Sequence, residues 1–354
     1  MLLMPSHQVL IRAERLVALL GRCRPRNAQS EAVRLERAWM RGDRIAPRWS
    51  YEPAPDLSDL RRVLCAMEHQ WRGSPEVRAL FTERVRELVL ESHVVEAIGR
   101  RKTFARLARS RFEPAPRWLA QADVLAHEWL SAVPEPTVSR FSLSDDESDH
   151  ESLVSCMRAR VGAEKLPFRV EVSEHLMTAA ATGERTIIVG VARPLTSSAT
   201  QRIVEHEVSG HAWPRIKAQR QRVGLFASAS RKGNDIQEGF ALHCELQAGL
   251  LDGHRRRELG WRHLAAKTVW QGASWVETTD ALLQWGADLA PALQIASRVH
   301  RAGGLAREIV YLPAFCSVSA AIAADPSVAL WLGAGRLSLE AIDVLRALSL
   351  PLVP

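Results

Sequence analysis

The N-terminal half of the chain has a spacing of apolar residues that predicts α-helices. Between residues 75 and 98, apolar residues recur at intervals of three and four, which places on one helical face Val77, Leu80, Phe81, Val85, Leu88 and Val89. The same spacing predicts further helices over residues 9–20, 57–69 and 116–131. Pro-Ala-Pro segments separate these helices, since proline interrupts a helical run. We therefore predict a helical N-terminal lobe over residues 1–133.

The pattern changes beyond this lobe. Residues 134–151 are rich in Ser, Pro and Asp, which is typical of an acidic linker or loop. Apolar and charged residues alternate over 168–172, and a β-branched run follows at 186–189, so we expect a small pair of strands. A helix is then expected to begin near Ser198 or Thr200.

The rest of the chain is predicted to be helical. A tryptophan-rich stretch covers residues 261–285, and a packing helix is expected over residues 337–348. With one small β-sheet among many helices, the expected fold class is predominantly helical α+β.

Two short motifs after the strands carry the candidate chemistry: HEVSGH, which begins at His206, and QEGFA, which begins at Gln237. A hydrolytic zinc site needs three nitrogen or oxygen ligands from the protein and keeps one position open. His206, His211 and Glu238 could supply these ligands. Glu207 adjoins a ligand, so it could take the proton of a metal-activated water and pass it to the leaving amine.

The two histidines are five residues apart, and this spacing requires an irregular helix. On a regular α-helix their side chains would point about 140° apart and could not reach one ion. One π-type turn of about 4.4 residues reduces this angle to about 50°. Gly210 and Pro214 favour such a turn, because glycine destabilises an α-helix interior and proline cannot donate to the carbonyl of Gly210. We therefore predict a π-type turn in the metal helix.

Several of these acidic and imidazole side chains have alternative roles. Glu238 follows Asp235 by three residues, so the pair could begin a helix as a capping-box-like arrangement. His243 and Glu245 are rival metal ligands. His243 lies five residues after Glu238 and would need a helix distortion of its own, which ranks it below the first set.

The two motifs resemble those of the QEGLA-motif metallopeptidases, the family that includes the microtubule-associated tyrosine carboxypeptidases. Its pattern is His-Glu-x-x-x-His followed by Gln-Glu-Gly-Leu-Ala, and this chain differs only in having Phe240 for the leucine. The likeness covers roughly residues 45–330, including the strand segment 168–190 and RVHRAGGLAREIVYLPAF at 298–315.

The resemblance implies both a site and a fold. It implies that His206, His211 and Glu238 bind zinc and that Glu207 is the catalytic glutamate. The expected architecture is a zincin-like catalytic region over residues 152–354, with the helical lobe and the acidic linker before it.

The downstream segment adds candidate substrate contacts. Arg307 and Tyr311 are four residues apart, so on a helix they would share a face. Arg307 could bind the C-terminal carboxylate of a substrate through its planar fork, and Tyr311 could donate to the tetrahedral oxyanion. The family usually has Lys-Asp where this chain has Arg307-Glu308, which changes the geometry of the cation. Arg298 and Arg301 are further substrate-binding candidates, for which structural salt bridges are the alternative.

A purely structural interpretation of this segment is also open. Gly303 and Gly304 would then form a turn, and Ile309, Val310 and Leu312 a buried strand. In that case Tyr311 would be a packing residue with its hydroxyl bonded internally.

Charge, hydropathy and cysteine content limit the kinds of partner and cellular environment that we expect. Most of the net charge of +7 lies before residue 118, but no nucleic-acid reader motif or aromatic interleaving accompanies it, so nucleic acid is not an expected partner. No apolar run of 18 residues is evident, which argues against a membrane protein. The five cysteines are isolated and have no CxxC spacing, which indicates reduced thiols in a cytoplasmic protein.

These observations predict a zinc metallopeptidase that trims the C-terminus of a peptide or protein. One alternative is a non-catalytic adaptor with a structural metal, whose basic lobe binds an acidic partner. The other alternative keeps the zinc chemistry but cuts as an endopeptidase or aminopeptidase.

Overall fold

The structure is a computed structural model that describes residues 6–68, 70–131, 140–174, 176 and 178–353. Helices dominate and the strands are few and short, so the predicted α+β class with predominant helix is confirmed. The helices before the first strand are α1 (Ser6–Val17), α2 (Leu19–Arg22), α3 (Ala28–Met40), α4 (Ser58–Met67), α5 (Pro75–Glu96), α6 (Arg101–Phe112) and α7 (Pro116–Leu130).

The middle of the chain combines strands with helices. In order these elements are β1 (Phe141–Leu143), α8 (Leu153–Ala163), β2 (Arg169–Ser173), β3 (Ala180–Thr182), β4 (Thr186–Gly190), β5 (Pro194–Thr196), α9 (Ser197–Glu207), a π-helical turn (Val208–Ala212), α10 (Trp213–Ala218), α11 (Leu225–Ser228) and α12 (Gly233–Gln247). The remaining elements are α13 (Gly253–Trp270), α14 (Trp275–Gln284), α15 (Leu289–Gly304), a 3₁₀ turn (Arg307–Val310), α16 (Tyr311–Ala324), α17 (Val328–Leu332) and α18 (Leu339–Ala347).

Local chemistry sets several helix boundaries. The predicted helix over 9–20 is interrupted, because Ala18 adopts a left-handed conformation (φ 43°) between α1 and α2. Helix α5 begins where predicted, after Ser74, whose hydroxyl accepts from the amide of Val77. The predicted helical stretch 261–285 is divided, because Ser274 and Glu277 form a capping box that starts α14 anew.

By the density of their internal contacts, the residues fall into two compact units. The first unit comprises residues 1–132 and 256–316, and the second comprises residues 133–255 and 317–354. The predicted division at residues 133 and 151 stays a prediction. Residues 134–139 of the predicted linker lie outside the described residues, whereas 140–151 include β1 and a series of turns.

The first unit is built from helices around an apolar core, with charged groups buried among them. Arg84 is fully buried between the carboxylates of Glu14 and Glu87, and Arg111 pairs with Glu87 and Glu91. Buried charges are tolerated when they are paired in this way. The network ties α1, α5 and α6 to one another.

The second unit contains the sheets. Strand β2 pairs in parallel with β4, and β3 pairs antiparallel with β4, which gives the order β2-β4-β3. The predicted strand pair is therefore confirmed, with β3 as an added edge strand. Strand β1 pairs separately with β5. Ile187 and Val189 of β4 pack in a common core with Met157 of α8 and Val204 of α9, so the sheet supports the helix that carries the first motif.

Two further sequence predictions concern the cysteines and the membrane. All five cysteines are free, as predicted. One stretch of the described residues, Arg307–Ala324, is long and apolar enough to cross a bilayer by length and composition alone. In the structure, 61% of this stretch is buried. Because core helices have the same apolar composition, we interpret the stretch as a packing helix.

Candidate metal centre

The helix that carries the first motif is irregular at the predicted place. Helix α9 starts at Ser197, one residue before the first of the two predicted starts, Ser198 and Thr200. The hydroxyl of Thr196 caps this end by accepting from the amide of Ala199. It runs to Glu207, and a π-helical turn then covers Val208–Ala212 before α10 continues. The predicted π-type turn is confirmed. It brings both histidine rings to one side, with centroids 5.0 Å apart.

Close packing of two helices explains Gly210. A Cβ atom at this position would lie 2.3 Å from Cβ of Ala241 and 2.7 Å from its Cα, closer than such atoms approach. Only glycine lets the π-helical turn meet α12 at this distance. Ala241 is the last residue of the second motif, so the contact joins the two motifs directly.

Three side chains converge as predicted. Nε2 of His206 and Nε2 of His211 lie 3.6 and 3.8 Å from the same carboxylate oxygen of Glu238. Two ligand atoms at about 2.0–2.1 Å from one zinc, at the tetrahedral angle, are about 3.4 Å apart. The three candidate ligand atoms lie within 4.8 Å of one another, and no other group of this kind occurs among the described residues. The donor set and its spacing therefore fit a divalent metal.

The two histidines of the cluster have pKa values that are shifted in opposite directions. Burial lowers the pKa of His206, but the carboxylates of Glu238 and Glu245 raise it more, to about 9. Burial lowers the pKa of His211. The two carboxylates thus favour the protonated form of His206, whereas burial favours the neutral form of His211.

Glu245 orients His206 from the other side of the ring. Its Oε1 lies 2.7 Å from Nδ1 of His206, which leaves Nε2 facing Glu238. Arg255 donates to both oxygens of Glu245 at 3.0 Å. Burial raises the pKa of Glu245, but Arg255 and His206 lower it to about 2, so it is a carboxylate. Such outer carboxylates fix the tautomer and direction of metal-binding histidines.

We expect Glu245→Gln to weaken zinc binding by about 10- to 100-fold, because glutamine holds the His206 ring less firmly and leaves Arg255 without its carboxylate. Competition with a chelator of known affinity would measure the change. Glu258→Gln is the matched control, since Glu258 contacts Arg262 and is not one of the three candidate ligands. Equal zinc affinity in both variants would show that Glu245 does not support the ligand.

The sequence missed the role of Glu245, although a signal was present. Glu245 follows Glu238 by seven residues, or about two turns, so both carboxylates lie on one face of α12. The rival ligand His243 is not part of the cluster, and its Nδ1 has no hydrogen-bond partner among the described residues. The capping-box alternative for Glu238 is wrong, because α12 begins at Gly233, before Asp235.

Glu207 lies outside the group of ligand atoms and contacts strand β3. The hydroxyl of Thr182 donates to Oε2 of Glu207 at 2.7 Å. The carbonyl of Thr182 in turn accepts from Nη2 of Arg215 at 3.3 Å. Glu207 is only 8% exposed, so its carboxylate is held in place beside the edge strand of the sheet. A fixed carboxylate next to a metal ligand can serve as a general base.

The predicted substrate residues lie in the first unit. Arg307 and Tyr311 share a face, and Nη1 of Arg307 donates to the hydroxyl of Tyr311 at 2.9 Å. The strand alternative is wrong, because residues 307–310 form a 3₁₀ turn that leads into α16. The turn expected at Gly303 and Gly304 is confirmed by their positive φ angles of 102° and 114°. The catalytic role of Tyr311 and the substrate role of Arg307 stay predictions.

Arg298 and Arg301 differ in their pairing. Arg298 donates Nε and Nη2 to Glu308 at 3.1 and 3.0 Å, which is the structural salt bridge of the alternative. Arg262 also pairs with Glu308, at 2.5 Å. Burial raises the pKa of Glu308, but Arg262 and Arg298 lower it to about 2. Arg301 is bonded to the main chain instead, because its Nε donates to the carbonyl of Arg298 at 3.2 Å.

Comparison with known proteins identifies the family. A family model described as "Microtubule-associated tyrosine carboxypeptidase" matches residues 39–350, which is most of the chain. No curated protein matches the chain at a significant level. The family is one of carboxypeptidases, peptidases that act on peptide or protein C-termini. The chain belongs to the microtubule-associated tyrosine carboxypeptidase family.

Proposed function

We propose that this protein is a zinc-dependent peptidase that removes residues from the C-terminus of a peptide or protein. The observation that carries the proposal is the convergence of His206, His211 and Glu238 beside a fixed Glu207. Membership of a carboxypeptidase family supports the choice of the C-terminus.

The three ligands suit catalytic zinc in particular. Two imidazole nitrogens and one carboxylate oxygen recur in zinc peptidases, where they leave a fourth position open. When bound at such a site, zinc polarises the scissile carbonyl and lowers the pKa of a water to about 7. A zincin-like arrangement of helix and edge strand is part of the same proposal.

The chain's own residues would carry the proton transfers and position the substrate. Glu207 accepts the proton of the attacking water and returns it to the leaving amine. Thr182 holds Glu207 by its hydroxyl, and Glu245 holds His206 by Nδ1. Strand β3 is an edge of the described three-stranded sheet, so its main chain can pair with an extended peptide. Arg307 is the proposed partner of the C-terminal carboxylate of the substrate, and Tyr311 is the proposed donor to the oxyanion.

Peptide cleavage tests the proposal. We expect the purified protein to shorten a C-terminally diverse peptide pool from the C-terminus, as read by mass spectrometry, and to leave C-terminally amidated copies intact. Cleavage of the amidated peptides would instead indicate an endopeptidase or aminopeptidase. Retention of peptides without any shortening would indicate a binding adaptor. Removal of the metal with a chelator should abolish cleavage, and added zinc should restore it.

A further inference from the structure

Two charged side chains at the end of α8 contact the helix that carries the histidines. Nε of Arg160 donates to Oε1 of Glu164, one turn later. The other oxygen of Glu164, Oε2, accepts from the indole Nε1 of Trp213 at 2.5 Å. Arg160 reaches the same helix twice, because its Nη2 donates to the hydroxyl of Ser209 at 3.4 Å and its Nη1 lies 3.3 Å from the carboxylate of Glu205. All five residues belong to the second unit.

The three partners of this pair lie along one row of the helix because of the π-helical turn. Glu205, Ser209 and Trp213 follow one another at intervals of four residues. In a regular α-helix, residues eight apart point about 80° away from each other. With five residues at about 4.4 per turn, as in Val208–Ala212, the angle falls to about 10°. The pair on α8 can therefore hold both ends of the turn at once.

Apolar packing beside these polar contacts has the same spacing. Val204, Val208 and Ala212 are all buried, and they share a core with Met157 and Val161 of α8. They also follow one another at intervals of four residues, so the π-helical turn aligns them in the same way. The apolar and the polar contacts with α8 thus require the same turn.

The approach of the two imidazoles requires this turn as well. Without it, the helix beyond the turn would be rotated by about 90° about its axis. Trp213 would then point away from Glu164, and His211 would point away from His206. The bond between Trp213 and Glu164 is therefore made only in the conformation that brings the histidines together.

We propose that Glu164 is a positioning residue of the metal centre: by holding Trp213, it stabilises the π-helical turn that places His211 beside His206. Glu164 is not one of the three candidate ligands, so it acts through the turn. The inference rests on the metal site of the proposed function, but it does not depend on the peptidase reaction.

Two substitutions remove the bond from its two ends. Trp213→Phe keeps an aromatic ring but has no N–H, and Glu164→Gln turns an amide donor towards the donor of either Arg160 or Trp213. Each should weaken zinc binding about 10-fold, the value of one hydrogen bond to a charged group. The double variant should bind zinc no more weakly than the weaker single variant, because both changes remove the same bond. Chelator competition measures these affinities.

Two further measurements separate positioning from a general structural role. Cobalt(II) bound in place of zinc reports the ligand geometry by its visible spectrum. At saturating cobalt(II), we expect Trp213→Phe to change this spectrum, whereas a loss of overall stability alone would not change it in the folded protein. In the metal-free protein, amide hydrogen exchange over residues 208–213 should be faster in the variant, which tests the turn without any metal.

Glu113→Gln is the matched control. Glu113 also follows the last residue of a helix, α6, and also pairs with the arginine four residues earlier, with 3.3 Å between its Oε1 and Nη2 of Arg109, but it belongs to the first unit. Its replacement should leave zinc affinity, the cobalt(II) spectrum and exchange over 208–213 unchanged. Glu205→Gln should also keep the spectrum, because Glu205 precedes the turn and can meet Arg160 with or without it.

Two outcomes would overturn the inference. One is zinc affinity, cobalt(II) spectra and hydrogen exchange in Trp213→Phe and Glu164→Gln that match those of Glu113→Gln. The other is additive losses of zinc affinity in the double variant, which would show that the two residues act separately. Absence of zinc from the unmodified protein would instead contradict the proposed metal centre, and exchange in the metal-free protein would still test the turn.

Discussion

Replacement of Glu207 by glutamine is expected to lower kcat by about 10²- to 10⁴-fold, the usual contribution of a general acid-base residue. Glutamine has the shape of glutamate but cannot accept the proton of the attacking water. It can still contact the hydroxyl of Thr182, so the local structure should be kept. Because Glu207 is not one of the three candidate ligands, the variant should retain its zinc. Mass spectrometry of the products and elemental analysis of the protein measure the two effects.

Glu205→Gln is the matched control for this variant. Glu205 lies two residues earlier on the same helix and pairs with Arg160 at 3.3 Å, outside the ligand cluster. Its loss should change kcat by no more than a few-fold, since a partly exposed ion pair contributes about 1 kcal/mol or less. Wild-type rates in Glu207→Gln would contradict the catalytic role, whatever the control shows.

Replacement of Gly210 by alanine is expected to lower the free energy of unfolding. The added Cβ would meet Cβ and Cα of Ala241 at 2.3 and 2.7 Å, so the π-helical turn and α12 must separate. Overpacking of this kind costs about 1–3 kcal/mol. Because α12 carries Glu238, the separation should also weaken zinc binding. Urea unfolding and chelator competition measure the two effects.

Gly162→Ala provides the comparison. Gly162 lies near the end of α8, and a Cβ atom there would have nothing within 4 Å. Alanine should therefore leave stability unchanged or raise it by up to about 1 kcal/mol, since glycine is the poorer helix former. If Gly210→Ala were as stable as Gly162→Ala and bound zinc normally, close packing could not be the reason for glycine at this position.

The sequence predicted that the three candidate ligands converge, because they lie on two local motifs. The five-residue spacing of His206 and His211 required a π-type turn, and the structure has one at Val208–Ala212. The sequence predicted only part of the reason why position 210 is a glycine. Glycine was expected to make the helix irregular, whereas the structure also uses its small size against Ala241. That contact depends on how two helices pack, which a local pattern does not encode.

Other features depend on contacts between distant parts of the chain. Strand β3 has three residues and no alternating pattern, so its place beside β4 arises from pairing alone. The roles of Thr182 and Glu245 follow from the packing of β3 and α12 against α9. The grouping of residues 256–316 with the N-terminal helices likewise rests on long-range contacts.

We propose that one zinc ion is held by His206, His211 and Glu238. Elemental analysis of the purified protein and of its His206→Ala variant tests this most directly. We predict about one zinc per chain in the unmodified protein and a large loss in the variant, because a catalytic site needs all three protein ligands. A zinc content well below one per chain, unchanged by His206→Ala, would contradict the claim.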